Sequence, residues 1–323
     1  MTRAALLTVF IGLLCAGSLT GPARGDDFPT HPVRVIVGFP AGSAADITAR
    51  VVGQRIGQLL GQQVVIENKS GAGSNLAAEA VARAPKDGYT LLLGTIANSI
   101  NAVVKSNLAF DFPKDFMPII RLTTTPNILV VHPSLGVKSV KELIDLAKAK
   151  PDQLLFASSG VATGTHLAAE LFKMLTGTKM VHVPYAGSPP AITDLLAGRL
   201  QVFFSPASTV LAHVRSGKLV ALASTEAKRT AIAPELPTMA EAGLPGFETG
   251  LWFGLLAPAG TSQDVINKLG RAANEALQAD EVTTPLAQQG IDSVGGSPED
   301  FGRYINGEMQ RWAKVAETAG LKN

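Results

Sequence analysis

Two short turns rich in small and hydroxyl-bearing residues contain the side chains of this chain best suited to holding an anion. The second turn, residues 158–165, places Ser158, Ser159, Thr163 and Thr165 beside two glycines. Capping a helix requires fewer than four hydroxyls. The additional hydroxyls favour a turn that also donates hydrogen bonds to a ligand. Neither turn contains lysine or arginine, which leaves backbone N–H groups and hydroxyls as the expected donors.

The first turn, residues 39–43, leads into a capping-box spacing. Ser43 and Asp46 are three residues apart, which predicts that Ser43 Oγ accepts from the Asp46 N–H and that the carboxylate accepts from the Ser43 N–H. One interpretation is that this cap fixes the loop and leaves its other N–H groups directed at a ligand. The alternative is that the cap only starts a helix.

Each turn lies between an apolar strand and an amphipathic helix. Residues 33–37 and residues 154–156 read as buried strands, and apolar residues recur at helical spacing from Ile47 to Leu60 and from Leu167 to Leu175. A helix that starts directly after such a turn offers unpaired N–H groups and a partial positive charge. We therefore interpret the two turns as the halves of one anion-binding clamp.

Short apolar strands alternate with amphipathic helices along most of the chain, which predicts an α/β fold with largely parallel sheets and helices on both faces. Residues 119–131, interrupted by Pro126, read as a segment that crosses between two lobes, and residues 248–257 read as a strand that crosses back. This organisation predicts a discontinuous first lobe, residues 26–124 and 249–323, and a second lobe, residues 125–248.

The N-terminal residues 1–25 are predicted to be a cleaved secretory signal peptide, because Arg3 precedes an apolar run that ends in small residues. This places the protein in the periplasm. A membrane anchor is the alternative, but the run is shorter than the roughly 20 apolar residues that span a bilayer. Lipid attachment at Cys15 is a further alternative, although Leu14 stands where a small residue is expected.

Removal of residues 1–25 takes away Arg3 and Arg24, which leaves 26 basic residues against 26 acidic ones. A neutral chain lacks the basic excess on which nucleic-acid binding depends, so we expect no nucleic-acid partner. It also retains no cysteine, since Cys15 is the single one, and this excludes disulfides and thiolate metal sites.

Signatures of enzymes are missing from the sequence: it contains no G-x-S-x-G elbow, phosphate loop or H-E-x-x-H motif. Residues 71–76 begin like a dinucleotide fingerprint but lack its third glycine. His166 and Glu170 share a helix face, where a hydrogen-bonded pair is favoured over a metal site. A two-lobed hydrolase stays open as an alternative, but no motif brings a nucleophile and a base together. We expect no enzyme activity, no cofactor and no metal.

Seven ordered motifs extend over essentially the whole mature chain. They are Val37-Gly38-Phe39-Pro40-Ala41-Gly42 with Asp46, Glu67-Asn68-Lys69-Ser70-Gly71-Ala72-Gly73, Asp87-Gly88-Tyr89-Thr90-Leu91-Leu92, Gly164-Thr165-His166-Leu167, Val183-Pro184-Tyr185, Leu236-Pro237-Thr238-Met239-Ala240-Glu241-Ala242-Gly243 and Trp252-Phe253-Gly254-Leu255-Leu256-Ala257-Pro258-Ala259-Gly260-Thr261. In this order they resemble the Bug family, the extracytoplasmic solute-binding receptors of tripartite tricarboxylate transporters.

The resemblance implies a type II periplasmic binding protein, in which two lobes with mixed, largely parallel sheets are joined by crossing strands and close on a small organic carboxylate. It implies that the carboxylate is held between residues 39–43 and residues 158–165, with ordered water on the first side. Membrane transporter subunits are the implied partners of a monomeric receptor. An extracytoplasmic sensor for a membrane signalling kinase, with the same fold, stays open as an alternative function.

The chain departs from the family pattern at three positions. Ser43 stands where many relatives have a second glycine, Ala186 where many have lysine or arginine, and Ala102 where an Asn-Pro pair is common. From the turns and the resemblance together, the predicted ligand-binding residues are Phe39, Pro40, Ala41, Gly42, Ser43, Asp46, Asn98, Ser158, Ser159, Gly160, Thr163, Gly164, Thr165, His166, Tyr185 and Ser205.

Overall fold

The structure, a computed structural model, describes residues 28–318, so the predicted signal peptide lies outside the described residues. The strands are β1 (Val33–Val37), β2 (Val64–Asn68), β3 (Thr90–Thr95), β4 (Phe116–Val131), β5 (Leu155–Ser158), β6 (Val181–Pro184), β7 (Val202–Pro206), β8 (Val220–Ser224), β9 (Gly250–Pro258) and β10 (Asp292–Ser293). The helices are α1 (Ala44–Leu60), α2 (Asn75–Ala82), α3 (Ile96–Val104), α4 (Phe112–Asp115), α5 (Val140–Ala149), α6 (Gly164–Thr176), α7 (Ser188–Leu196), α8 (Ala207–Arg215), α9 (Gln263–Ala276), α10 (Asp280–Ala287) and α11 (Pro298–Thr318).

One long strand, β4, belongs to both halves of the molecule. Up to Pro126 it pairs antiparallel with β9, and from Asn127 onward it pairs antiparallel with β7 and β8. The predicted crossing segment is therefore present, but Pro126 does not interrupt the strand. Proline has no N–H to donate to a neighbouring strand. Because Pro126 lies where β4 changes partners, the loss of this one hydrogen bond costs little stability. Backbone pairing resumes at once, because Asn127 O accepts from the Thr225 N–H at 3.0 Å, and the Asn127 N–H donates to Thr225 Oγ1 at 3.2 Å.

The strands follow the order β2-β1-β3-β9-β4-β7-β5-β6, with β8 and β10 also paired to β4. The outer neighbours are parallel, β1 with β2 and β3, and β5 with β6 and β7, whereas β4 and β9 run antiparallel to their partners. We call the half that holds β1–β3, β9, β10, the first part of β4, α1–α4 and α9–α11 the first lobe. The half that holds β5–β8, the end of β4 and α5–α8 is the second lobe.

Buried side chains cover both faces of the second lobe's sheet. Phe203 and Phe204 are adjacent on β7 and point to opposite faces, so each joins a different hydrophobic core. The first lobe has a core of its own, and Ala162 and Leu167 of the second lobe pack into it. The two lobes are therefore in contact around the start of α6. None of the helices between residues 28 and 318 combines the length and the apolar character needed to cross a membrane.

Candidate functional site

A cavity lies between the lobes where the two predicted turns meet. It encloses about 370 Å³ of space not filled by atoms, its open mouth included. No charged side chain is among the residues that line it. They are Phe39, Ser43, Ala44, Ala45, Thr95, Ile96, Ala97, Ser159, Thr163, Gly164, Thr165, Ser188, Pro206, Leu251 and Phe253.

Several helices begin at this cavity. The first residues of α1, α3, α6 and α7, which are Ala44, Ile96, Gly164 and Ser188, all line it, and so does Pro206, which directly precedes α8. The N-terminus of a helix carries a partial positive charge and N–H groups without partners inside the helix. The cavity therefore attracts an anion through backbone dipoles although no lysine or arginine lines it.

The start of α6 is buried and lacks a side-chain cap. Thr163 occupies the N-cap position, but its Oγ1 donates to the carbonyl of Gly160 at 2.7 Å instead of accepting from the helix. The N–H groups of Gly164 and Thr165 have no partner among the described residues. We predicted that hydroxyls of this turn would also cap the helix, and for Thr163 this is wrong. Buried N–H groups of this kind need an acceptor, and the cavity beside them has room for one.

The hydroxyls of the second turn form one connected cluster. Thr165 Oγ1 accepts from the Ser159 N–H at 2.8 Å and lies 3.1 Å from Thr163 Oγ1. Ser159 Oγ and Ser188 Oγ are 2.8 Å apart, and only one of their two hydrogens is used in that bond. At least one hydroxyl hydrogen of this serine pair thus remains available to an acceptor in the cavity.

Asp46, in the first turn of helix α1, fixes the first turn, residues 39–43, by hydrogen bonds. Ser43 Oγ accepts from the Asp46 N–H at 3.3 Å, which confirms half of the predicted capping box. The other half is wrong: the Asp46 carboxylate accepts from the Gly42 N–H at 3.0 Å, because the Ser43 N–H closes a tight turn onto Pro40 O at 3.2 Å. Gly42 adopts a φ of +77°, a left-handed conformation that strains other residues.

Asp46 is buried beneath the turn and does not line the cavity. Its carboxylate also accepts from Arg50 Nε at 2.9 Å and from Asn68 Nδ2 at 2.9 Å. Burial opposes the charged form, but the hydrogen bonds from Arg50, Gly42 and Asn68 outweigh it and hold the pKa of Asp46 below its ordinary value. The charged carboxylate thus organises the loop from the side away from the cavity.

His166 lies behind the second turn, where it stacks on His182 with 4.0 Å between ring centroids. His166 Nδ1 accepts from the Ala162 N–H at 3.2 Å, and His182 Nε2 is 2.6 Å from Ser158 Oγ. Burial, with a smaller contribution from Lys173, lowers the pKa of His166 to about 4. Burial and the neighbouring His166 lower the pKa of His182 to about 4 as well. Both rings are therefore neutral supports of the turn at pH 7.

His166 and Glu170 do not form the hydrogen-bonded pair favoured by the sequence. His166 Nε2 lies 3.7 Å from Glu170 Oε1, beyond hydrogen-bond distance, and Glu170 instead pairs with Lys173 at 2.8 Å. Among residues 28–318 no group of three or more His, Cys, Asp or Glu side chains is arranged to hold a metal ion.

The structure brings only some of the sixteen predicted site residues to the cavity. Six line the cavity, namely Phe39, Ser43, Ser159, Thr163, Gly164 and Thr165. Ala41 and Gly42 lie exposed at the tip of the first turn, and Pro40 is half-buried beside them. Asn98 caps α3 by accepting from the Thr95 N–H at 2.9 Å, and Ser205 Oγ bonds Thr209 Oγ1 at 2.9 Å. Gly160 and Tyr185 line a second, adjoining cavity.

The sequence did not single out Thr95, Ser188, Pro206 and Leu251 as lining residues. A local signal existed for two of them: Thr95 and Asn98 have capping-box spacing, and Ser188 precedes two prolines that suit a helix start. Pro206 and Leu251 are brought in only by the pairing of their strands with β4. Phe253 and Trp252 of β9 both belong to the first lobe's core, and Phe253 also lines the cavity.

Comparison with known proteins identifies the family. The profile of the TctC family, described as "Tripartite tricarboxylate transporter family receptor", matches residues 48–321. The chain belongs to this family. The resemblance to the Bug family is confirmed by Protein BugT of Bordetella pertussis, which is 36% identical over 324 residues covering 100% of this chain and 99% of BugT.

Two solved structures share the fold of this TctC-family chain. Rpa4515 of R. palustris, solved with adipate, is 39% identical, with a TM-score of 0.88 over 91% of this chain and 99% of that one. MatC (Rpa3494) from Rhodopseudomonas palustris, solved with bound malate, is 32% identical, with a TM-score of 0.85 over 89% of this chain and 99% of that one. The predicted two-lobed binding-protein fold is thereby confirmed.

Proposed function

We propose that this receptor captures a small organic carboxylate in the cavity between its lobes and delivers it to a tripartite tricarboxylate-type transporter in the membrane. The receptor acts in the periplasm, after removal of residues 1–25 as a signal peptide, and functions as a monomer. The proposal divides the chain into a first lobe of residues 26–124 and 249–323 and a second lobe of residues 125–248. The change of β4 partners between Pro126 and Asn127 supports these boundaries.

The observation that carries the proposal is the uncapped, buried start of α6. Gly164 and Thr165 line a cavity without charged side chains, and their N–H groups have no acceptor among residues 28–318. A carboxylate offers two oxygens with several acceptor sites, enough for these donors and for the hydroxyls beside them. A positively charged or purely apolar ligand would leave the same donors unsatisfied.

The rest of the wall suits a short carbon skeleton. Phe39, Ile96, Leu251 and Phe253 contribute apolar surface to the same cavity that holds the helix termini. An organic acid therefore places its carboxylate at the donors and its carbon chain against these side chains. The adipate and malate bound by the two structural neighbours are acids of this kind.

The Ser158–His182 contact does not favour a hydrolase. The two side chains are 2.6 Å apart, a proximity that the sequence did not reveal, but neither lines the cavity. Ser158 is fully buried, and its Oγ also lies 3.0 Å from the carbonyl of Gly160. A nucleophile must reach its substrate, so this pair supports the turn and performs no catalysis.

A calorimetric titration of the receptor without ligand, using matched neutral and charged compounds, tests the proposal. Hexanoate and adipate are expected to bind, and hexanamide and adipamide, which have the same skeletons without charge, are expected not to bind. In a thermal-shift assay, a ligand at 100 times its dissociation constant adds about 2.7 kcal/mol to the stability of the native state. Binding of the amides as tightly as the acids would refute anion recognition.

The variant Thr165→Ala locates the carboxylate at the second turn. The Thr165 hydroxyl hydrogen, which is directed at Thr163 Oγ1, is expected to turn to the carboxylate on binding. Loss of this hydrogen bond to a charged acceptor costs roughly 1.5 to 3 kcal/mol, or about 10- to 150-fold in affinity. Thr165→Ser is the matched control, because it keeps the hydroxyl that accepts from the Ser159 N–H. Near wild-type affinity in a folded Thr165→Ala variant would mean that the carboxylate binds elsewhere.

A further inference from the structure

A second cavity adjoins the first and is lined by residues of both lobes. It encloses about 530 Å³, its open mouth included, and it shares Phe39 and Ser159 with the first cavity. The first lobe contributes Lys105 and residues 71–74, and the second lobe contributes residues 184–186. The two cavities therefore adjoin at Phe39 and Ser159, and a ligand that occupies both would pass these two residues.

Lys105 is the one charged residue among those that line either cavity. It is half-buried, and none of the ion pairs between residues 28 and 318 includes it. Burial lowers the pKa of Lys105 from its ordinary value, and no carboxylate offsets this. Partial removal of an ammonium group from water without a counter-ion is unfavourable, so an anion beside it would be stabilising.

The position of Lys105 at the end of α3 does not by itself explain why its ammonium group is half-buried without a counter-ion. Its N–H donates to Asn101 O, and a cation near helix carbonyls gains a few tenths of a kcal/mol to about 1 kcal/mol. Lys150 at the end of α5 has the same relation to its helix, because its N–H donates to Leu146 O at 3.0 Å, but it lies exposed on the surface. Lys105 combines such a position with a place in the wall of the second cavity.

We propose that Lys105 binds a second anionic group of the ligand, so that this receptor selects dicarboxylates over monocarboxylates. The proposal rests on the proposed function, because the first carboxylate must occupy the cavity at α1 and α6. Ala186, which lines the same cavity, brings no charge, and no acidic side chain lines it, so Lys105 is the sole ionic partner that these walls offer.

Calorimetry with straight-chain dicarboxylates from malonate to suberate, each compared with its own monoamide, tests this inference. Wild-type receptor is expected to bind at least one dicarboxylate about 10-fold or more tightly than its monoamide, the gain typical of a hydrogen-bonded ion. Lys105→Met removes the charge and keeps an unbranched side chain. It is expected to abolish this preference while monoamide and hexanoate affinities stay within about two-fold of wild type, since neutral groups gain little from the ammonium.

Two further variants serve as controls. Lys105→Arg is expected to retain the preference for dicarboxylates, and Lys150→Met, which removes the exposed cation at the end of α5, is expected to change no affinity. Raising the ionic strength should weaken dicarboxylate binding more than monoamide binding in the wild type, because only the former includes an ion pair. This measurement needs no variant and therefore does not depend on variant folding.

The outcomes separate the two proposals. If Lys105→Met weakens dicarboxylates and monoamides equally, or changes neither, the role of Lys105 is refuted while carboxylate binding stands. If monoamides and dicarboxylates bind the wild type equally, the second anionic subsite is refuted as well. If wild-type receptor binds no carboxylate at all, the proposed function fails, and the role of Lys105 fails with it.

Discussion

Asn101 on α3 donates a hydrogen bond from Nδ2 to the carbonyl oxygen of Ala162, 3.1 Å away, and so joins the first lobe to the turn before α6. The same Nδ2 donates to Ala97 O at 2.7 Å and lies 3.5 Å from Gly73 O. Asn101 is fully buried, which strengthens these bonds. One amide group thus ties three backbone segments together beside the ligand cavity.

We expect Asn101→Ala to favour separation of the lobes. The lost bond to Ala162 is worth about 1 to 2 kcal/mol, so ligand affinity should fall roughly 5- to 30-fold, because the closed state becomes rarer. Small-angle scattering of the variant without ligand should give a larger radius of gyration than wild type. An unchanged radius together with unchanged affinity would contradict the role of Asn101 as an interlobe link.

Asn274 provides the matched control. Its Nδ2 likewise donates to a carbonyl four residues earlier, Gly270 O at 3.1 Å, and to a second segment, Gly296 O at 3.0 Å, but all three residues belong to the first lobe. Asn274→Ala should therefore lower the free energy of unfolding without changing ligand affinity or the radius of gyration.

Asp46 is expected to control ligand affinity without contacting the ligand. Asp46→Ala removes the acceptor for the Gly42 N–H and for Arg50, which should cost roughly 1 to 3 kcal/mol of stability and loosen the first turn. Asp46→Asn retains one side-chain oxygen and should lie between Ala and wild type. Urea unfolding and calorimetry on both variants check this order. Full affinity in Asp46→Ala would show that the turn needs no support from this carboxylate.

The pKa of Asp46 adds a pH dependence to the same prediction. Because the folded-state pKa is held below its ordinary value, the stabilisation from this carboxylate is fully present above about pH 4 and is lost as pH falls through the folded-state pKa. Asp46→Asn cannot titrate at this position, so its unfolding free energy should fall less steeply than that of wild type below pH 4.

The two clamp turns were predictable because their signals are local. A strand, a small-residue turn and a helix with a three-residue cap spacing are contiguous in the chain, and the structure forms them at residues 33–60 and 155–176. The partners of these turns were not predictable. Asn101 and Ala162 are 61 residues apart, and Lys105 reaches the cavity only through the packing of α3. Such contacts depend on tertiary structure, which local spacing does not encode.

The stacked pair His166 and His182 should make the unliganded receptor lose stability in mild acid. Each pKa is about 4 in the folded chain against about 6.5 in an unfolded one, so their stabilisation is complete above about pH 6.5 and is lost as pH falls toward 4. Each histidine contributes a slope of up to about 1.4 kcal/mol per pH unit in this window. Glu170 partly opposes the shift of His182, and Lys173 reinforces both shifts.

His182→Phe keeps an aromatic ring in the stack but cannot be protonated. Its urea-unfolding free energy between pH 6.5 and pH 4 should therefore fall about half as steeply as that of wild type. At pH 7 the variant should be less stable by about 1 kcal/mol, because Ser158 Oγ loses a partner at 2.6 Å. Parallel pH profiles for the two proteins would show that the histidine pair does not set the acid sensitivity.

Gly164, the first residue of α6, is expected to be essential for closure of the lobes. A Cβ atom at this position would lie 2.6 Å from Leu251 Cδ2 and 3.0 Å from Ile96 Cγ2, both in the first lobe. Because the clash exists only when the lobes meet, Gly164→Ala should leave each lobe folded and penalise the closed state. Overpacking of this kind costs typically 1 to 3 kcal/mol, which corresponds to roughly a 5- to 150-fold loss of ligand affinity.

A double variant and a glycine control make the test of Gly164 specific. Gly164→Ala combined with Leu251→Ala removes the atom that lies nearest to the added methyl group, so the double variant should recover part of the lost affinity. Gly307→Ala on α11 adds a methyl group with no atom within 4 Å and should leave binding unchanged. If Gly164→Ala binds like wild type, the side chains of Leu251 and Ile96 move aside at little cost. If the double variant binds no better than the single one, the clash with Leu251 is not what opposes closure.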